Sequence, residues 1–306
     1  FIELLHCYHC FIVVLLHCRD SCFNDDNTAI ATMKQCSNPS NETIPAIATM
    51  TIIFTVTNDL SYDQRMHRIC GALASQGHDV LLVGRALPHS IQLEDREFRQ
   101  KRLRCFLNKG FPFYAEYNLR LFFFLLFASC DAVCSIDLDT LPAGCFATLL
   151  RRKKRVFDAH EYFTEVPEVT HRPLVKFFWA AVARLCLPFY KHAYTVGPAL
   201  AAIFEKKYNI PFGVVRNVPY PIVAALPQGS GRTADGNLLL LYQGALNEGR
   251  GIEQILEALQ YLDGIAFWLA GEGDLSQTLR DQARACSAKM NSHETLSDRK
   301  VNSTDQ

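Results

Sequence analysis

The sequence predicts an α/β fold built on parallel sheets, and three observations predict it. Strand, helix and strand patterns follow one another within about 30 residues between Thr51 and Gly84, a βαβ unit whose crossover makes the strands parallel. A second strand–loop–helix stands far along the chain, in NLLLLYQGALNEGRGIEQILEALQY (Asn237 to Tyr261). There an apolar run ends at Gly244, and a helix places Ile252, Ile255, Leu256 and Leu259 on one face. Finally, 306 residues, 49% of them apolar, suffice for two domains with cores of their own. Lysine plus arginine equal aspartate plus glutamate at 31 each, so the chain lacks the basic field that nucleic-acid binders use.

Residues 1–49 read as a non-domain extension, disordered or arising by read-through, with Met50 the expected start of the folded chain. No basic residue precedes Phe11, as a secretory signal would require, and the apolar run Phe11 to Leu16 is too short to span a bilayer. Cys7, Cys10, His17, Cys18 and Cys22 match no zinc-finger spacing, so no metal site is expected. The Asn41-Glu42-Thr43 sequon matters only in a secreted chain. Six of the twelve cysteines (Cys70, Cys105, Cys130, Cys134, Cys145, Cys186) fall inside strand and helix patterns, as small core hydrophobes do in a reducing compartment. The expected location is the cytoplasm.

From Met50 the pattern turns regular. TIIFTVT reads as a buried strand and Asn58 to Arg65 as a polar loop. A helix from Met66 to Gln76 stops at Gly77, and Asp79 to Gly84 is a second buried strand. EDREFRQKRLR is a solvated charge run ahead of a short strand around Arg104 to Leu107. LRLFFFLLFA (Leu119 to Ala128) is too short to cross a membrane and is expected to be a fully buried core helix, contact with a membrane surface being the other reading. Ala132 to Ile136 is a strand ending at Asp137 and Asp139, after which Thr140 and Pro142 open a helix to Leu150. The basic run Arg151 to Arg155 complements that helix's dipole or meets acidic headgroups. The next strand, Arg155 to Phe157, runs into Asp158, Ala159, His160 and Glu161. Titratable groups just past the carboxyl end of a parallel strand lie where open α/β sheets bind ligands. His160 beside Glu161 can position a proton or a hydroxyl, although a surface histidine in a polar loop reads the same way. A long core helix (Pro173 to Tyr190), a strand (Ala193 to Val196), a helix (Pro198 to Tyr208) and a strand (Val214 to Asn217) complete a first domain over 50–221. Residues 222–236 are the expected linker and 237–285 the second domain.

In that second domain a glycine-rich loop, Gly249-Arg250-Gly251, feeds a helix N-terminus. Free backbone N–H groups and a forked cation suit a diphosphate. Glycines that supply positive φ in an ordinary turn give the same spacing.

TVTNDLSYDQRM, HRICGALASQGHDVLLVGR, FDAHEYF, TVGPALAAIFEKKYNI, VVRNVP and YQGALNEGRGIEQILEAL, in this order, resemble family-4 glycosyltransferases of the GT-B fold. The resemblance covers Met50 to Ala285. It implies two Rossmann-like domains facing each other across a cleft, the first for an acceptor and the second for a nucleotide-sugar donor. It further implies a retaining transfer with neither metal nor cofactor, a UDP- or GDP-sugar as co-substrate, and a glycan or lipid-linked acceptor in polysaccharide biosynthesis. His160 matches the family's histidine near the donor sugar, and Glu161 follows it as an acid. Gly244, Arg250 and Gly251 match the donor diphosphate site. Asn58, Asp59, Asp63 and Arg65 occupy the family's first cleft loop, without its usual glycine pair, and Asp139 joins them at the acceptor side. Ala245 stands where many relatives carry a second cation.

The family's paired glutamates, seven residues apart, find no match after Ala285, and the polar stretch 286–306 reads as a disordered tail. A complete first domain and a partial second one, truncated and impaired in transfer, are therefore expected. Peripheral contact with the inner face of the membrane fits the same reading. Two alternatives stand beside it: a non-catalytic nucleotide-binding fragment, and a GT-B nucleotide-sugar epimerase.

Overall fold

The computed structural model describes residues 49–88, 90–218, 231–233 and 235–285. The expected extension up to residue 48, most of the expected linker and the expected tail lie outside them. The chain divides into two compact units, Phe1–Pro219 and Tyr220–Gln306.

The first unit is a seven-stranded parallel sheet in the order β3-β2-β1-β4-β5-β6-β7. Its strands are β1 (Thr51–Thr55), β2 (Asp79–Ala86), β3 (Arg99–Arg104), β4 (Ala132–Ile136), β5 (Lys154–Ala159), β6 (His192–Thr195) and β7 (Phe212–Val214). The apolar runs read from sequence supply the central strands, as burial on both faces requires. Helix α1 (Gln64–Ala74) covers one face, where Met66, Ile69 and Leu73 pack with Ile52, Phe54 and Leu82. Helices α2 (Gly110–Phe127), α3 (Asp137–Arg151) and α5 (Pro173–Cys186) cover the other, with α4 (Pro167–Thr170) before α5 and α6 (Pro198–Tyr208) leading to β7. This is the α/β, Rossmann-type architecture that the sequence predicts.

Several elements differ from their expected form, each for a physical reason. β3 is Arg99–Arg104, inside the charge run, because an edge strand keeps one side in water and tolerates charges there. Helix α2 is not fully buried. Only Phe113, Tyr117, Leu121 and Leu125 face the sheet, and Phe111, Leu119, Phe123 and Phe127 face solvent. Helix α3 begins at Asp137, whose positive φ of 53° turns β4 directly into the helix, leaving Pro142 inside it rather than at its mouth. Helix α5 stops at Cys186, since Pro188 in the following 3-10 turn (Leu187–Phe189) has no N–H to continue it. β7 lies two residues earlier than expected.

Two cations of the basic run at the end of α3, Arg151 and Arg155, bond to main-chain carbonyls. Arg151 donates to the carbonyls of Leu125 and Ala128 at the end of α2, at 2.7 and 2.6 Å, and Arg155 donates to Phe189 O at 2.7 Å. Cations on the orphan carbonyls of a helix C-terminus are the electrostatically favoured arrangement.

The second unit pairs β8 (Leu238–Gln243) with β9 (Ile265–Ala270) in parallel, joined by α7 (Ile252–Leu259) and followed by α8 (Ser276–Ala285). Leu246, Ile252 and Leu279 form its core. β8 is more exposed than an apolar run suggests, with Leu238, Leu240 and Leu241 at 41% or above. Arg232, within the expected linker, bridges Leu238.

Candidate functional site

In the first sheet, the strand following β1 in space is β2 on one side and β4 on the other, so the chain order reverses between β1 and β4. The loops leaving the carboxyl ends of those strands diverge there and open a crevice. A hollow of ≈ 360 Å³ occupies that place, lined from β1's loop by Thr57, Asn58, Asp59 and Asp63, from the end of β4 by Asp137 and Asp139, and from the end of β5 by His160.

The β1 loop is held by its own side chains. Asn58 Oδ1 accepts from Leu60 N at 2.9 Å, Asp59 Oδ1 from Ser61 N at 3.0 Å, and Asp63 Oδ1 caps α1 through Met66 N at 2.9 Å. Asn58 Nδ2 donates to Asp63 Oδ2 at 2.6 Å. Leu60 takes a left-handed φ of 73° and is fully buried, so a leucine here adopts the conformation for which a loop ordinarily uses glycine. The loop also needs Gly84, where a Cβ would lie 2.5 Å from Asn58 O.

Asp137 organises the opposite wall. Its carboxylate accepts from the backbone N–H of His160 at 3.2 Å and lies 2.8 Å from His160 Nδ1. A non-glycine residue in the left-handed region costs free energy, and such residues persist where the surroundings over-determine them. Burial alone would lower the His160 pKa, but the Asp137 carboxylate outweighs it and raises the value to about 9. Asp139 accepts from the Thr57 hydroxyl, and burial, helped by the charge of Asp137, pushes its carboxyl up to about 7. Near neutral pH the hollow therefore offers an imidazolium donor, a carboxylate acceptor and a carboxyl group poised between its two forms. Such a set pairs with the hydroxyls of a polyol, each of which donates and accepts.

Arg65, expected at the cleft loop, turns inward. Its guanidinium makes a bidentate ion pair with Asp158 of β5, one contact being 2.7 Å, and both side chains are buried. The pair ties α1 to β5. Glu161 is exposed and borders a separate small recess beside Tyr162 and Phe204, so His160 and Glu161 do not share the hollow. Asp137, Thr57 and Asp158 were not singled out from sequence as site residues. The only signal for Asp137 was an aspartate placed directly at a strand end.

In the second unit, Gly244 ends β8 with φ of 155°, and Gly271 just past β9 comes so close that a Cβ on it would lie 1.8 Å from Gly244 O. Gly251 is the N-cap of α7 at φ 78°, with no side chain hydrogen-bonded to the helix's first amides. Arg250 is exposed. Gly244, Arg250 and Gly251 thus lie on one strand–loop–helix turn, where the Gly244 amide donates to Ala270 O at 3.0 Å and Arg250 has no ion-pair partner among the described residues. Among the described residues, no group of three or more His, Cys, Asp or Glu side chains is disposed to hold a metal ion, and no helix is long and apolar enough to cross a membrane.

The sequence profile described as Glycosyltransferase Family 4 matches residues 64–224, just over half of the chain. A search of curated proteins returns no match. Sucrose-phosphate synthase from Thermosynechococcus elongatus has a similar structure, with TM-score 0.59 and 14% identity over 81% of this chain and 71% of that one. Anabaena HepE, solved in complex with UDP-glucose, gives TM-score 0.55 and 14% identity over 80% and 69%. A UDP-N-acetylglucosamine 2-epimerase from Rickettsia bellii gives 0.53 and 10% over 82% and 71%. At these identities the likeness is one of fold.

Proposed function

The chain belongs to Glycosyltransferase Family 4, and from that premise we propose that it moves a sugar from a nucleotide-sugar donor to a hydroxyl of a glycan or lipid-linked acceptor. The observation that carries the reading is the hollow at the β1–β4 reversal, where His160, Asp137 and Asp139 present paired donors and acceptors suited to sugar hydroxyls. The acceptor oxygen bonds to the anomeric carbon as the bond from that carbon to the diphosphate breaks, and the leaving group carries away the electron pair and takes up the hydroxyl proton. Arg250 and the uncapped amides at Gly251 would hold that negative charge, with Gly244 letting the donor approach the backbone. His160 is assigned to a sugar hydroxyl, and Glu161, outside the hollow, is not assigned to the reaction. Retention at the anomeric carbon and independence from metal belong to the proposal. UDP-glucose, the ligand of Anabaena HepE, is the donor to try first.

Calorimetry with a panel of nucleotides tests it. UDP or GDP should bind, and Arg250→Ala should weaken binding. Indifference to every nucleotide would reject the transferase reading in favour of a non-catalytic fragment.

A further inference from the structure

Helix α2 is apolar on both sides. Phe113, Tyr117, Leu121 and Leu125 fill the core at four-residue spacing, and the same spacing recurs opposite, where Phe111, Leu119, Phe123 and Phe127 are 60, 59, 51 and 81% exposed. Helix α5 repeats the arrangement, turning Trp179, Ala183 and Cys186 inward and leaving Leu174 and Phe177 at 85 and 75%. The Phe111 and Phe178 rings meet edge to face at 5.0 Å, so the two helices touch where α2 begins. Phe106, in the turn before α2, adds an 85% exposed ring. Single exposed apolar side chains are ordinary, whereas rows of them on two helices that touch mark an interaction surface.

Its charge is one-sided. The two helices hold a single acid between them, Glu116, and that carboxylate is already engaged by Arg120 and by the backbone N–H groups of Phe106 and Leu107. Lys109 and Arg172, at the starts of α2 and α5, are exposed without ion-pair partners among the described residues. An anionic lipid surface complements both the rings and the cations.

We propose that the outer rows of α2 and α5, with Phe106, dock on an anionic bilayer, the rings entering the headgroup–acyl boundary and Lys109 and Arg172 meeting lipid phosphates. Attachment of this kind is peripheral. Asn118, midway along α2 and outside the exposed row, donates to the Asp139 carbonyl at 2.7 Å, so α2 is tied to one wall of the hollow, and docking would hold the hollow near a lipid-carried acceptor. That last consequence rests on the transferase reading, but the docking itself does not.

Vesicle flotation of the full chain tests the docking without any turnover. The chain should float with mixed phosphatidylcholine–phosphatidylglycerol vesicles far more than with phosphatidylcholine alone. Phe123→Ser with Phe177→Ser should cut the partition by about tenfold or more, and Lys109→Glu with Arg172→Glu by a similar factor. The charge pair touches no core residue and keeps the test decisive if the aromatic pair fails to fold. No flotation with the anionic vesicles, or equal flotation of the charge variant and the parent, would overturn the proposal. So would light scattering that shows a dimer dissolved by the same substitutions. Lost nucleotide binding with flotation intact would instead count only against the transferase reading.

Discussion

The hollow of the first unit and the glycine-rich turn of the second are built in opposite ways. In the hollow almost every polar group already has a partner: Asp137 holds His160, Thr57 holds Asp139, and the Asn58 loop closes on Asp63. In the turn no side chain caps the amides at Gly251, and the Arg250 guanidinium has no ion-pair partner among the described residues. A neutral, hydroxyl-rich ligand can be met by groups that keep one another in place, because each hydroxyl inserts by exchanging one hydrogen bond for another. A diphosphate brings full charge and needs donors that nothing else has neutralised. The contrast lies in preorganisation, built from side-chain pairs in one region and from backbone conformation in the other.

The deepest test of the first region is its foundation. Asp158→Ala would leave the Arg65 guanidinium buried without its anion, and unfolding free energy should fall by about 3–5 kcal/mol, read as a lower urea midpoint. If the change is negligible, the hollow does not depend on that pair. His160→Ala should lower kcat/KM by about 100-fold or more in a chain that still folds, although less stable below pH 9. Arg250→Ala should weaken nucleotide binding by about 10- to 100-fold by calorimetry, the worth of a hydrogen bond to a charged group. Equal loss from a neutral substitution at Ala245 would show that the turn works by shape and not charge.

Protonation sharpens the comparison further. Folded His160 keeps its proton up to about 9, against 6.5 for an ordinary histidine, so its stabilisation is whole below pH 6.5 and is lost as pH rises through about 9. Asp139, raised from 3.8 to about 7, also makes the folded chain hold the extra proton, and stability declines as pH climbs through that lower window. Asp137→Asn removes the charge that raises His160 and that adds to the burial raising Asp139. It should flatten the decline between pH 6.5 and 9 and return the His160 ring resonances in NMR titration toward the ordinary midpoint. Glu161→Ala, outside the hollow, should change turnover by no more than about threefold.

The sequence made some of this legible and not the rest. β1, β2 and β4 were readable because strands buried on both faces are continuous apolar runs. The turn at Gly244 to Gly251 was readable as a turn because its glycines mark positive φ locally. The apolar run in α2 was misjudged as wholly buried, since a helix apolar all round has no periodicity to say which row faces water. Arg65 and Asp158 lie 93 residues apart, and only folding shows that the arginine turns inward. His160 was found as a titratable group past a strand end, while its orienting partner was missed. Nothing in a sequence marks Asp137 as left-handed. Position along a strand was recoverable, and side-chain pairing across the sheet was not.

The central claim is that the hollow at the β1–β4 reversal grips sugar hydroxyls, and titrating UDP and UDP-glucose into the parent chain and His160→Ala tests it most directly. The account predicts that UDP binds both proteins alike while UDP-glucose loses affinity only in the variant. Equal affinity of UDP-glucose for parent and variant would contradict it.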